Sequence, residues 1–182
     1  MSEILQQAIS DTRDKMKAKY TTWTSLNPAE KRLLVVAYLA DELKVREVGG
    51  NNRGKWVKIF LLSVGLEEGY SWCAAALNFA SMVADAPRPM RPDYNPAAVI
   101  GWRNWVRSFG LTVVSPERGS ICMHQTSESQ GHIAVVVRTV GPMVYSIEGN
   151  TGPGEEGSQS DGGGMYRRIR LKKFWSWGFA NA

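Results

Sequence analysis

Through the first 110 residues, apolar positions recur every three to four residues, the spacing of one helix face. Residues 2–20 predict a helix on which Ile4, Leu5, Ala8 and Ile9 form a short stripe ahead of charged turns. A second helix opens at Asn27, with Pro28 at its first position and Glu30 placed to reach back to the cap. Leu33, Leu34, Val36, Ala37, Ala40 and Leu43 give it a broad apolar face that fades near Val45. The stretch Val48–Gly54 is a loop by composition. Lys55–Val64 predicts a third helix with Trp56, Ile59, Phe60 and Val64 on one side and Gly65 past its end. A fourth, Ala-rich helix covers Trp72 to about Ala84. Four prolines between Ala86 and Pro96 mark a connector, and a short helix follows over 97–109.

Beyond residue 110 the period changes to that of strands. Leu111–Val114, Gly119–Met123, Ile133–Thr139, Met143–Ile147 and Met165–Leu171 read as strands, the third and fourth joined by a turn at 140–142. Seven glycines between Gly149 and Gly164 predict a mobile loop. The closing FWSWGF carries too much aromatic surface to stay exposed and is expected to pack back. Helices followed by mostly antiparallel strands make the fold α+β, with N-terminal helices packed on a small sheet. Two units are expected: an accessory N-terminal helix outside the core in residues 1–25, and one domain over 26–182.

Composition narrows the class. A chain of 182 residues with 43% hydrophobic positions can build a globular core. Its longest apolar run, Leu33–Ala40, is far below the ~20 residues of a membrane span. Two cysteines and two histidines, without ligand spacing, argue against a disulfide scaffold and against a metal, and no cofactor motif occurs. The opening residues lack a secretory pattern, so synthesis in a cytoplasm and export by another route are expected. The net charge is +5, and Arg167, Arg168, Arg170, Lys172 and Lys173 occur with no acidic residue after them. That cluster would attract an anionic cell-wall polymer or nucleic acid, or would simply protect a strand edge. The tryptophans sit at helical core spacings, and no nucleic-acid motif is present, which argues against nucleic acid.

Three residues carry candidate chemistry. Cys73, one residue inside the fourth helix, would sit in the positive field of a helix start, as a nucleophile requires; a buried small apolar residue is the plainer reading. His132 precedes the apolar strand IAVVV, and Gly131 lets another segment come close; His124 is its only rival as a general base. Glu148 ends the next strand. If Thr139 pairs with Met143, His132 faces Asn150 directly and Glu148 diagonally on one sheet face; if Thr139 pairs with Pro142, Glu148 points the other way. The first register assembles thiol, imidazole and carboxylate in chain order. Cys122, within a strand, reads as a buried apolar residue.

GYSWCAAALNFA resembles the nucleophile motif of the CHAP amidase group, within the NlpC/P60 papain-like cysteine peptidases. The resemblance continues through EVGGNNRGKWVKIFLLSVGL, PERGSICM, GHIAVVV, YSIEGNTG and RRIRLKKFWSWGF, and spans roughly Val45 to Phe179. It implies a papain-like core, Cys73 as nucleophile, His132 as base and acid, Glu148 as the group orienting the histidine, and Asn150 as a polar partner of the histidine or substrate. It implies cleavage of a peptidoglycan amide, either the bond between the sugar lactyl group and the first alanine or one in the stem peptide or cross-bridge. Trp72, Tyr70 and Ser71 become candidates for the substrate cleft, with Tyr70 or Ser71 as a second oxyanion donor beside the Cys73 N–H. Where the family usually reads close to PGD, this chain has Glu117-Arg118-Gly119-Ser120. Residues 1–25 and the loop 149–164 lie where a phage-structural or secretion-system partner would dock. A wall-docking component without catalysis is therefore the alternative. Release at lysis, carriage on a virion or specialised secretion would each bring the protein to the wall.

Overall fold

The computed structural model describes residues 1–153 and 163–182. Among the described residues, five α-helices precede a six-stranded antiparallel sheet: α1 Glu3–Lys19, α2 Pro28–Ala37, α3 Lys55–Leu62, α4 Cys73–Ala84 and α5 Val99–Ser108, then β1 Thr112–Val113, β2 Ile121–Gln125, β3 Gly131–Val140, β4 Met143–Thr151, β5 Gly164–Leu171 and β6 Gly178–Ala180. The α+β class and the helices-then-sheet order expected from the patterning are both present. Asn27 caps α2 through a full capping box with Glu30, so that helix starts where its side chains satisfy the orphan N–H groups. A π-helical turn, Tyr38–Glu42, carries α2 onward before the chain leaves the helix.

The strand order is β1-β6-β2-β3-β4-β5. Ile121, Met123, Ile133, Val135, Ile147 and Met165 join the main core with the helices. Cys122, Ala134, Val136 and Val144 form a second apolar layer with Trp175 and Phe179. Both faces of β3 are therefore covered, which explains why IAVVV is continuously apolar and does not alternate. The FWSWGF segment does pack back. It also supplies β6, which slots between β1 and β2 and leaves no pattern long enough to be read as a strand.

Two expectations need correction. The N-terminal helix is not an appendage: Leu5, Ile9 and Met16, with Trp23 after it, belong to the main core. The stripe runs along 5, 9, 12 and 16, leaving Ile4 60% exposed. The β3–β4 turn is also tighter than expected. Val140 pairs with Met143, so only Gly141 and Pro142 form the turn. A bulge at Val137 then shifts the ladder by one, so that Val136 pairs with Ser146 and Ala134 with Glu148. At the site the register is the one a Thr139–Met143 pairing would give, reached by another route. Strand β4 continues to Thr151, so Gly149–Thr151 lie in the sheet; the loop expectation for 154–162 falls outside the described residues. No helix among the described residues is long and apolar enough to cross a membrane.

Candidate active site

Helix α4 begins at Cys73 itself. Trp72 is its N-cap residue, no side chain caps the helix, and the first helical bond runs from Ala76 N–H to the Trp72 carbonyl at 2.8 Å. The N–H groups of Cys73 to Ala75 therefore have no intrahelical acceptor, and an anion formed here meets the positive end of α4. Trp72 is pinned from behind. Its ring is fully buried against Phe60, and its Nε1–H donates to Glu47 Oε1 at 2.8 Å. Trp72 thus anchors the helix start and does not wall a cleft.

Cys73 is 8% exposed and lines a cleft of about 460 Å³ together with Ser71, Ala97, Ala98, Val99, Thr126, Ser129, Gln130 and Gly131. Ser71 is thus at the cleft, while Tyr70 is 57% exposed and outside its lining. No charged side chain lines this cleft among the described residues.

At the start of β3, the His132 side chain hydrogen bonds with Glu148 and interacts with Cys73. Its Nε2 lies 2.9 Å from Glu148 Oε2, which leaves Nδ1 as the ring nitrogen for the sulfur. Trp175 lies nearly parallel to the imidazole at 6.3 Å between centroids. Burial by itself would push the imidazole down; the bonds from Cys73 and Glu148 outweigh it and raise His132 to about 9. Burial would likewise push Glu148 up, but hydrogen bonds from Arg170 and His132 hold it down at about 2.

These shifts give a signed prediction. The folded His132 binds its proton more tightly than an ordinary histidine at 6.5, so its contribution is complete below 6.5 and disappears as pH rises through about 9. The Glu148 contribution is complete above 4.5 and disappears as pH falls through about 2. The stability advantage of the native protein over His132→Gln, measured by denaturant unfolding, should shrink by on the order of 3 kcal/mol across the alkaline window.

Glu148 is the hub of the network. Ser146 Oγ donates to Oε1 at 2.9 Å, and Arg170 grips both oxygens, Nε on Oε1 and Nη2 on Oε2, each at 2.7 Å. Sequence reasoning missed Arg170 as a member of the site and placed it in a basic surface cluster. That cluster is divided: Arg168 is buried and donates to the Gly152 carbonyl, as Arg170 turns inward to Glu148, while Arg167 pairs with Asp41 at the surface. Asn150 does not reach the histidine. It is fully buried at φ +54°, and neither amide atom has a hydrogen-bond partner among the described residues. His124 sits opposite His132 on β2 but stacks on Phe174 at 4.0 Å, with Nδ1 3.2 Å from Ser176 Oγ. Cys122 is fully buried, and burial pushes its thiol well up. Both cysteines are free.

Gly131 shows why a glycine precedes the histidine. A Cβ there would lie 2.7 Å from the His124 carbonyl oxygen and 2.7 Å from Trp177 Cζ3. Gly131→Ala should part β2 from β3 beside the imidazole, lowering stability by about 1–3 kcal/mol, which thermal unfolding would register.

No protein-family model matches the sequence, and neither a curated protein nor a solved structure matches the chain. Among the described residues, no group of three or more His, Cys, Asp or Glu side chains could hold a metal ion.

Proposed function

We propose that the protein is a cysteine hydrolase cleaving an amide bond of bacterial peptidoglycan, built on a papain-like core of the NlpC/P60 type and closest in motif to the CHAP group. One observation carries the reading: Cys73, at an uncapped helix start on the cleft, interacts with His132, whose Nε2 is held by Glu148. From the neutral form of the imidazole, the sulfur attacks the carbonyl carbon as its proton passes to His132 Nδ1. The negative oxygen of the tetrahedral intermediate turns to the unpaired N–H of Cys73 at the helix mouth. The imidazolium returns the proton to the departing nitrogen, the C–N bond breaks, and a thioester remains. Water then attacks the thioester, giving one proton to His132, and the carboxylic acid and free thiol are released. Glu148 holds the Nε2 proton throughout, so Nδ1 always faces the sulfur.

The cleft lining favours this substrate class. Ser71, Ala97, Ala98, Gly131 and Val99 leave room for a backbone bearing small side chains, such as the alanines of a stem peptide, and Thr126, Ser129 and Gln130 supply neutral hydrogen-bonding groups. Purified sacculi incubated with the protein should yield soluble fragments, and their masses, with counting of newly freed amines, would identify the bond. Sacculi of several stem and cross-bridge chemistries that all remain intact would overturn the reading.

A further inference from the structure

We propose that Arg170 is a positioning residue of this site: by holding both carboxylate oxygens of Glu148 it fixes the charge and the rotamer of the group that orients His132. It lies on β5, 22 residues beyond Glu148, with its side chain 11% exposed. The two 2.7 Å bonds form a planar fork, the geometry only a guanidinium provides. The guanidinium face is 4.3 Å from the Phe174 ring centroid, so the arginine is itself braced by the C-terminal segment.

With Arg170 in place, each Glu148 oxygen accepts two hydrogen bonds: Oε1 from Ser146 and Arg170, Oε2 from His132 and Arg170. A carboxylate so saturated has no reason to turn or to take the imidazole proton. In the neutral imidazole the proton stays on Nε2, and Nδ1 is the acceptor for the sulfur. The titratable groups facing the pair are Cys73 of α4, His124 and Cys122 of β2, and Arg170 of β5. Of these, Arg170 is the one permanent cation. Removing it raises the proton affinity of every neighbour, which fixes the sign of the effect.

Only the kinetic arm of the test rests on the hydrolase reading. Imidazole-¹⁵N NMR of the folded protein, with the two rings assigned by His124→Gln, reads the tautomer and titration of His132 without substrate. In Arg170→Met the His132 midpoint should rise by about one unit. In Arg170→Lys the charge remains and the midpoint should stay, but a point charge cannot hold both oxygens, so kcat should fall about tenfold at unchanged KM. The basic limb of the Arg170→Met pH–rate profile should follow its NMR midpoint, a change that an arginine serving stability alone would not cause. An unmoved midpoint in folded Arg170→Met, or full kcat in Arg170→Lys, overturns the proposal. If Arg170→Met fails to fold, Arg170→Lys decides by kcat. Native protein that cleaves no sacculus refutes the hydrolase reading, and the NMR titration still decides whether Arg170 governs the imidazole.

Discussion

Cys73→Ala is expected to abolish cleavage of peptidoglycan while leaving the protein folded. The change removes one sulfur at the cleft edge, from a residue that already begins an alanine-rich helix, so the unfolding midpoint should move little. The rate should fall about 10⁴-fold or more, because no other group can form the covalent intermediate. Cys122 provides the internal comparison. It is fully buried in β2 with its thiol pushed up, and it faces an apolar layer, not the cleft. Iodoacetamide should therefore add one label to the native protein and none to Cys73→Ala under the same exposure, and lysis should be lost in step with labelling. A Cys73→Ala protein that clears sacculi at the native rate would remove the sulfur from the mechanism and, with it, the hydrolase reading.

What the sequence disclosed follows from how local each determinant is. The cap at Asn27, the apolar face of α3 and the start of α4 are written in neighbouring residues and fall where the pattern puts them. The juxtaposition of His132 and Glu148 follows from period-two geometry across a short hairpin, although the turn itself is one residue shorter than expected and a bulge at Val137 restores the register. A bulge has no sequence period, so alternation alone cannot locate it. Arg170 was hidden for another reason. Its partner lies four residues further along the ladder, since Val144 pairs with Arg170 and Glu148 with Tyr166, and the reach depends on a long side chain crossing the sheet face. The hint was present in the alternation of β5, where Arg168 and Arg170 share the face of Ser146 and Glu148. Read as linear charge, the same residues suggested a surface. Trp72 misled in the opposite direction, because neighbouring the nucleophile in sequence says nothing about which side of the helix start its ring takes. Its indole found Glu47, 25 residues earlier, and was buried.

The carboxylate offers the other large effect. Glu148→Gln preserves size, yet it should cost about 10³–10⁴-fold in rate, because an amide presents a different pattern of donors and acceptors to the same neighbours. Arg170 has only N–H groups to offer, so the amide oxygen must turn to it. The amide NH₂ then points at His132 Nε2 and donates, which makes that nitrogen an acceptor and moves the imidazole proton to Nδ1. The nitrogen facing Cys73 would carry a hydrogen and could no longer accept the thiol proton. Stability should suffer as well, since Arg170 becomes a largely buried cation without a counter-charge, a loss of about 3–5 kcal/mol. The two effects separate in the double variant Glu148→Gln/Arg170→Met. Removing the stranded cation should recover most of the unfolding free energy, while the carboxylate that orients the imidazole stays absent and activity stays low. Imidazole-¹⁵N spectra should show the proton on Nδ1 in Glu148→Gln, where Arg170 still claims the amide oxygen. A Glu148→Gln protein with native kcat would mean that the imidazole is oriented by something other than the carboxylate, and the network Cys73–His132–Glu148–Arg170 would then be a packing device with no part in proton transfer.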